Sequence, residues 1–119
     1  RSDHAEGCRP HDQEVPAVMT DASGTGAITL NTTTGLIIGT INVFDISPTM
    51  AHIHAGEVDV NGGVVLALND IGNGGFIVTA GTVLNMAQVD LMQAEALYTN
   101  FHTAENPNGE IRGQIILGF

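Results

Sequence analysis

The chain has 119 residues, 43% of them hydrophobic, with 13 acids, three arginines and no lysine, for a net charge of −10 with neutral histidine. That is enough chain for one domain with a core and too little for two. The acidity disfavours nucleic acid and anionic lipid, both of which need a basic surface; no apolar run is long enough to span a bilayer, and a single cysteine excludes an intrachain disulfide. Fifteen glycines, frequent Thr, Val and Ile, and short apolar runs describe a mainly β protein with many turns.

Residues 1–12 are polar and lack a period of two or of 3.6, which reads as an extended arm before a domain over 13–119. The arm carries His4, Cys8 and His11. These are either three ligand-capable side chains in a loose tail, a second metal site, or an intersubunit link through Cys8. A chain beginning at Arg rather than Met is expected to have lost a signal peptide or to be a fragment. Gln13–Thr20 reads as a first strand, placed at an edge or a bulge by Pro16, which cannot donate to a ladder. Gly24–Leu30 alternates as a second strand after a turn at Asp21–Gly24. Gly35–Asp45 is the longest strand, with its phase blurred at Gly39, where a bulge or a close backbone approach is expected.

Ser47-Pro48-Thr49 ends that strand, and His52–Ala55 follows as a short one. Val64–Leu68 is a continuous apolar run and reads as buried. Asn69–Gly75 reads as a loop and Phe76–Thr79 as a further strand. One helix is expected over Met86–Ala96: Asn85 caps it, Gln88 completes a capping box, and Met86, Val89, Leu91 and Met92 supply its apolar side. Its methionines read as core filling rather than as thioether ligands. Leu97–Thr103 and Glu110–Leu117 are the last strands, joined by a turn through Asn106-Pro107-Asn108-Gly109. Arg112, the sole basic residue outside the arm, is expected to be held in an ion pair, most simply with Glu110 on the same face of its strand. Together these elements point to an all-β fold, an antiparallel two-sheet β-sandwich with one short helix near 85–95.

The chemistry concentrates in Ala51-His52-Ile53-His54-Ala55-Gly56. On an extended backbone both imidazoles project from one face and Ile53 from the other. Tyr98-Thr99-Asn100-Phe101-His102-Thr103 has the same alternation. If the two segments are neighbours, His52, His54 and His102 converge on one point, a donor set suited to Cu or Zn rather than to Mg or Ca. The alternative is that the three histidines are structural and bond to Thr103, Asn100 or backbone carbonyls.

The segments AHIHAG with NGGVVLAL, LYTNFHTAENPNGEIRGQI, and the opening EVPAV resemble, in this order and spacing, the CHRD domain, the repeat module of chordin that also occurs singly in secreted prokaryotic proteins. The likeness runs from about Glu14 to about Leu117. Its most specific part is Tyr98-x-Asn100-x-His102-Thr103 with Asn106-Pro107-x-Gly109-Glu110-Ile111-Arg112-Gly113-Gln114. The resemblance implies an extracytoplasmic β-sandwich similar to the Cu,Zn superoxide dismutase or immunoglobulin architecture, and no defined activity. The Cu,Zn superoxide dismutases of this comparison hold copper with a His-x-His pair on a strand; His52 and His54 occupy that pattern here, and His102 could be the third ligand.

Three functions are therefore weighed. The first is a secreted, non-catalytic module binding Cu or Zn. The second is an extracellular filament or surface-layer subunit, self-associating through its arm, with structural histidines. The third, a dismutase-like enzyme, is disfavoured. An acidic chain repels anions unless a local cation guides them, and Arg112 alone is placed to do so. No serine sits in a nucleophile-elbow context, and Cys8 lies in the arm.

Overall fold

A computed structural model describes residues 2, 3, 22–58 and 60–117. Nine strands and one helix are found there: β1 Ser2–Asp3, β2 Ser23–Leu30, β3 Ile37–Phe44, β4 Met50–Ala55, β5 Val64–Gly72, β6 Gly75–Val78, α1 Met86–Gln93, β7 Leu97–His102, β8 Ile111–Gln114 and β9 Ile116–Leu117. The all-β expectation with one short helix holds. All pairings are antiparallel, and seven strands run in the order β2-β3-β6-β5-β4-β7-β8, with β1 and β9 forming a separate ribbon. The arm residues His4, Cys8 and His11, the strand expected over 13–20, and the boundary between arm and domain lie outside the described residues.

The two layers of the expected sandwich share one strand. The first half of β5 pairs with β4 (His52 opposite Ala67, Ile53 opposite Leu66), and its second half pairs with β6 (Leu68 opposite Val78, Asn69 opposite Ile77). Each half carries an irregularity, at Ile53/His54 and at Asp70/Gly72. Bends of this kind let a strand turn a corner between layers. Across the interior the rings of Phe76 on β6 and Phe101 on β7 meet edge to face at 5.1 Å. The rest of the core between the layers is mostly aliphatic, with Ile37, Ile41 and Val43 from β3, Ile53 from β4, Leu97 from β7 and Ile111 from β8.

In β3 the alternation is clean, with Ile37, Gly39, Ile41 and Val43 inward and Ile38, Thr40, Asn42 and Phe44 outward. Gly39 is a close approach and not a bulge, because a Cβ there would lie 2.8 Å from Ile28 Cγ1 on β2. The segment expected as a loop over Asn69–Gly75 is mostly strand. β5 continues to Gly72 and turns into β6 through Asn73 (φ 56°) and Gly74 (φ 79°). Two consecutive positive φ values make a type I′ turn, whose twist matches the flanking strands. The density of glycine there had masked an Asn-Gly hairpin.

The capping box of α1 is formed: Gln88 N–H donates to Asn85 Oδ1 at 2.8 Å and Asn85 N–H to Gln88 Oε1 at 2.9 Å. Replacing Asn85 with Ala removes one side of it, and the expected cost is about 1 kcal/mol of stability, read as a lower denaturant midpoint at unchanged slope. The helix ends three residues earlier than expected, with Glu95 at positive φ. Met92 is wholly buried while Met86 projects into solvent, so only the first of these methionines fills the core. The strand expected over Glu110–Leu117 divides at Ile115, whose N–H bonds Leu97 O at 2.9 Å.

Candidate metal centre

β4 and β7 are adjacent and antiparallel, with Met50 opposite His102, His52 opposite Asn100 and His54 opposite Tyr98. Ile53 goes into the core at 0% exposure, so the strand's alternation sends His52 and His54 to the other face, shared with Tyr98, Asn100 and His102 of β7. The imidazole centroids are 5.5 Å apart for His52 and His54, 5.1 Å for His52 and His102, and 5.8 Å for His54 and His102. One ligand atom from each lies within 4.8 Å of the others. The three histidines brought together are those the alternation singled out.

The hydrogen bonds fix which nitrogen of each ring is available. His54 Nδ1 lies 3.0 Å from Gly62 O, and His102 Nδ1 lies 2.9 Å from Pro107 O. A carbonyl oxygen only accepts, so both Nδ1 atoms carry the proton and both Nε2 atoms keep a lone pair. His54 Nε2 is buried and has no hydrogen-bond partner. His102 Nε2 is 3.2 Å from His52 Nδ1. Two nitrogens bound to one tetrahedral ion, each about 2.0–2.1 Å from it, are roughly 3.3 Å apart. A backbone carbonyl on the far nitrogen is the usual device for orienting a metal-binding imidazole and raising its basicity. For its Nδ1 to serve as a ligand, His52 would carry its proton on Nε2, a change of tautomer without change of charge.

Burial, more than the neighbouring His102 and His54, pushes the His52 pKa below its usual 6.5. Burial likewise lowers that of His54, with His102 and Arg112 adding to the effect and the bond to Gly62 O opposing it. In the interval between the lowered folded value and 6.5, the unfolded chain binds more protons than the folded one. The contribution to stability is therefore complete above pH 6.5 and is lost as the pH falls through 6.5 towards the folded value. The metal-free protein is expected to melt at lower temperature at pH 5.5 than at pH 7.5, with a shallower dependence in His54→Ala. Equal pH slopes in the two proteins would contradict this assignment.

Tyr98 and Arg112 support the centre from beneath. The Tyr98 ring stacks on His54 with centroids 5.1 Å apart and planes 9° from parallel, and the Arg112 guanidinium carbon sits 3.5 Å from the Tyr98 centroid. Arg112 Nη2 donates to Glu57 O at 2.7 Å and to Gln114 Oε1 at 3.3 Å, and Nη1 to Asn61 Oδ1 at 3.3 Å. Gly62 N–H donates to Tyr98 Oη at 3.0 Å, and Gln114 Nε2 donates to Gly56 O at 2.8 Å. Gly56, Glu57, Asn61 and Gly62 are thus tied down, and with them the Gly62 carbonyl that orients His54. Glu110, the expected partner of Arg112, accepts through Oε1 from Thr103 Oγ1 at 2.9 Å and from Asn106 Nδ2 at 3.4 Å. Sequence reasoning missed Gly62, Pro107 and Asn100, although the alternation Tyr98-x-Asn100-x-His102 already placed Asn100 on the histidine face.

An antiparallel β domain with a histidine cluster on one face of its β4–β7 pair defines the class: an all-β module with a candidate metal centre and no long apolar helix among its described residues. The family model of the CHRD domain matches residues 10–115, and the chain belongs to that family. No curated protein and no solved structure matches it.

Proposed function

We propose that this CHRD domain is a secreted module that binds Cu or Zn through His52, His54 and His102 without turning over a substrate. The observation that carries the reading is the state of the nitrogens. Three rings converge, two of them with Nδ1–H committed to backbone carbonyls, and His54 Nε2 is left buried with an unused lone pair. Imidazole nitrogen suits Cu and Zn, and three such donors leave one position open. Secretion fits the family, whose members are typically extracellular modules. The non-catalytic part of the reading is supported by charge. Arg112 is the single Lys or Arg among the described residues; it is 1% exposed and its guanidinium is turned to the 56–62 loop, so it does not present a cation to an incoming anion.

Elemental analysis of natively purified protein, with Cu and Zn titrations of the apo form, tests the proposal. One ion per chain in the wild type and none in the His52→Ala/His102→Ala double variant is the expected result. Metal content unchanged by the double substitution rejects the site.

A structural or assembly role is proposed beside it. Among the described residues β2 has a single hydrogen-bonded neighbour, β3, and on the outer face of β3 Ile38 and Phe44 are more than half exposed. Exposed apolar positions on the outer face of a sheet are what a partner chain would cover. Native mass measurement with and without residues 1–12 separates a monomer from an arm-linked assembly.

A further inference from the structure

We infer that Asn100 provides a fourth donor to the metal through its carboxamide oxygen, an inference that rests on the three-histidine reading above. Asn100 occupies the middle of the histidine face. It lies opposite His52 across β4–β7, with Tyr98 and His102 two residues away on either side along its own strand. Its side chain is 4% exposed, and Oδ1 is buried without a hydrogen-bond partner. His54 Nε2 on the same face is in the same condition. Both are Lewis bases, and a buried acceptor with no donor is destabilising.

Most of the donors nearby have other acceptors; Arg112 Nε, opposite Asn100 in the β7–β8 ladder, is buried and makes no hydrogen bond to Oδ1 either. The Arg112 Nη groups point to Glu57, Asn61 and Gln114, Gln114 Nε2 bonds Gly56 O and Glu95 O, and the His54 and His102 Nδ1–H groups go to Gly62 O and Pro107 O. A cation held over this face would give both lone pairs a partner. The carboxamide also has little freedom. Gly109 has φ +126°, and a Cβ there would collide with Asn100 Oδ1 and lie 2.8 Å from Nδ2. The backbone just before β8 therefore closes one side of the amide, and His52 lies across the ladder on the other. A set of three imidazoles with one neutral oxygen is chemically reasonable for copper, which tolerates a weak amide oxygen beside stronger ligands.

The test compares the wild type with Asn100→Leu and Asn100→Asp. Each is titrated with Cu(II), its bound Cu(II) is examined by electron paramagnetic resonance, and its metal-free form is melted. Leu keeps the volume and removes the oxygen. The expected result is metal affinity weakened by about 10- to 100-fold, an altered copper hyperfine splitting, and a metal-free melting temperature no lower than wild type, because an unpaired buried acceptor has been removed. Asp restores an oxygen and is expected to bind at least as tightly as the wild type at neutral pH. Should Asn100→Leu not fold, the Asp variant decides: tenfold weaker binding by Asp overturns the inference. Wild-type affinity and spectrum in folded Asn100→Leu also overturn it, and leave Asn100 as a structural or water-bonded residue. Absence of copper binding by the wild type itself overturns the three-histidine reading instead.

Discussion

Saturating the histidine site with Cu(II) or Zn(II) is expected to raise the melting temperature of the domain by roughly 10–20 °C. A ligand that binds only the folded state stabilises it by about 4 kcal/mol when present at a thousandfold excess over its dissociation constant. For a domain of this size each kcal/mol moves the midpoint by roughly 3–5 °C. A bound metal would act as a cross-strand tie, because His52 and His54 belong to β4 and His102 to β7. His102→Ala should erase the shift. That substitution removes one imidazole from a face opposite the core and costs two hydrogen bonds, to Pro107 O and with His52 Nδ1, so the metal-free variant is expected to melt several degrees below the wild type. Melting curves with metal and with chelator, on both proteins, give the answer. An equal metal-induced shift in His102→Ala would place the bound ion elsewhere.

The second large effect belongs to Arg112. Its side chain is 1% exposed, and its guanidinium bonds Glu57 O, Asn61 Oδ1 and Gln114 Oε1 while lying over the Tyr98 ring. Arg112→Met retains bulk but leaves those acceptors without their donor. Hydrogen bonds to a charged group contribute about 1.5–3 kcal/mol each, and because bonds within one network do not add in full, a total loss of about 3–5 kcal/mol is expected. That is a large fraction of the roughly 5–15 kcal/mol that holds a domain together. Arg112→Lys should recover less than half, since an ammonium cannot span three acceptors in a planar fork or stack on the phenol as a guanidinium does.

The effect reaches the metal through the 56–62 loop. With its anchor gone, Gly62 O no longer holds His54 in one orientation, and affinity is expected to drop by about 10- to 100-fold. Urea unfolding gives the first number and metal titration of the folded variant the second. Stability of Arg112→Met within about 1 kcal/mol of the wild type would show that the guanidinium network contributes little.

Much of this was legible in the sequence because it depends on short-range periodicity. Two histidines separated by one residue must share a face of any strand that contains them, and Ile53 between them must take the other. The same alternation set Tyr98, Asn100 and His102 on a single face of β7. The Asn85–Gln88 capping box was equally local, since both partners fall within one helical turn. The Asn73-Gly74 hairpin was present in the letters and was obscured by the glycines around it.

Pairing between distant segments could not be read in the same way. Nothing within β4 or β7 says that His52 will stand 3.2 Å from a residue 50 positions later; that follows from the ladder that makes the two strands neighbours. The two carbonyls that fix the histidine tautomers come from loops, at Gly62 and Pro107, whose backbone direction no periodicity encodes. The loop acceptors of Arg112 were not legible for a related reason. A long side chain in a sheet reaches acceptors that an adjoining loop brings over it, here Glu57 O and Asn61 Oδ1. Side-chain facing is a property of the local backbone, whereas convergence of the three imidazoles is a property of strand order, and strand order is decided only when the core between the layers is packed.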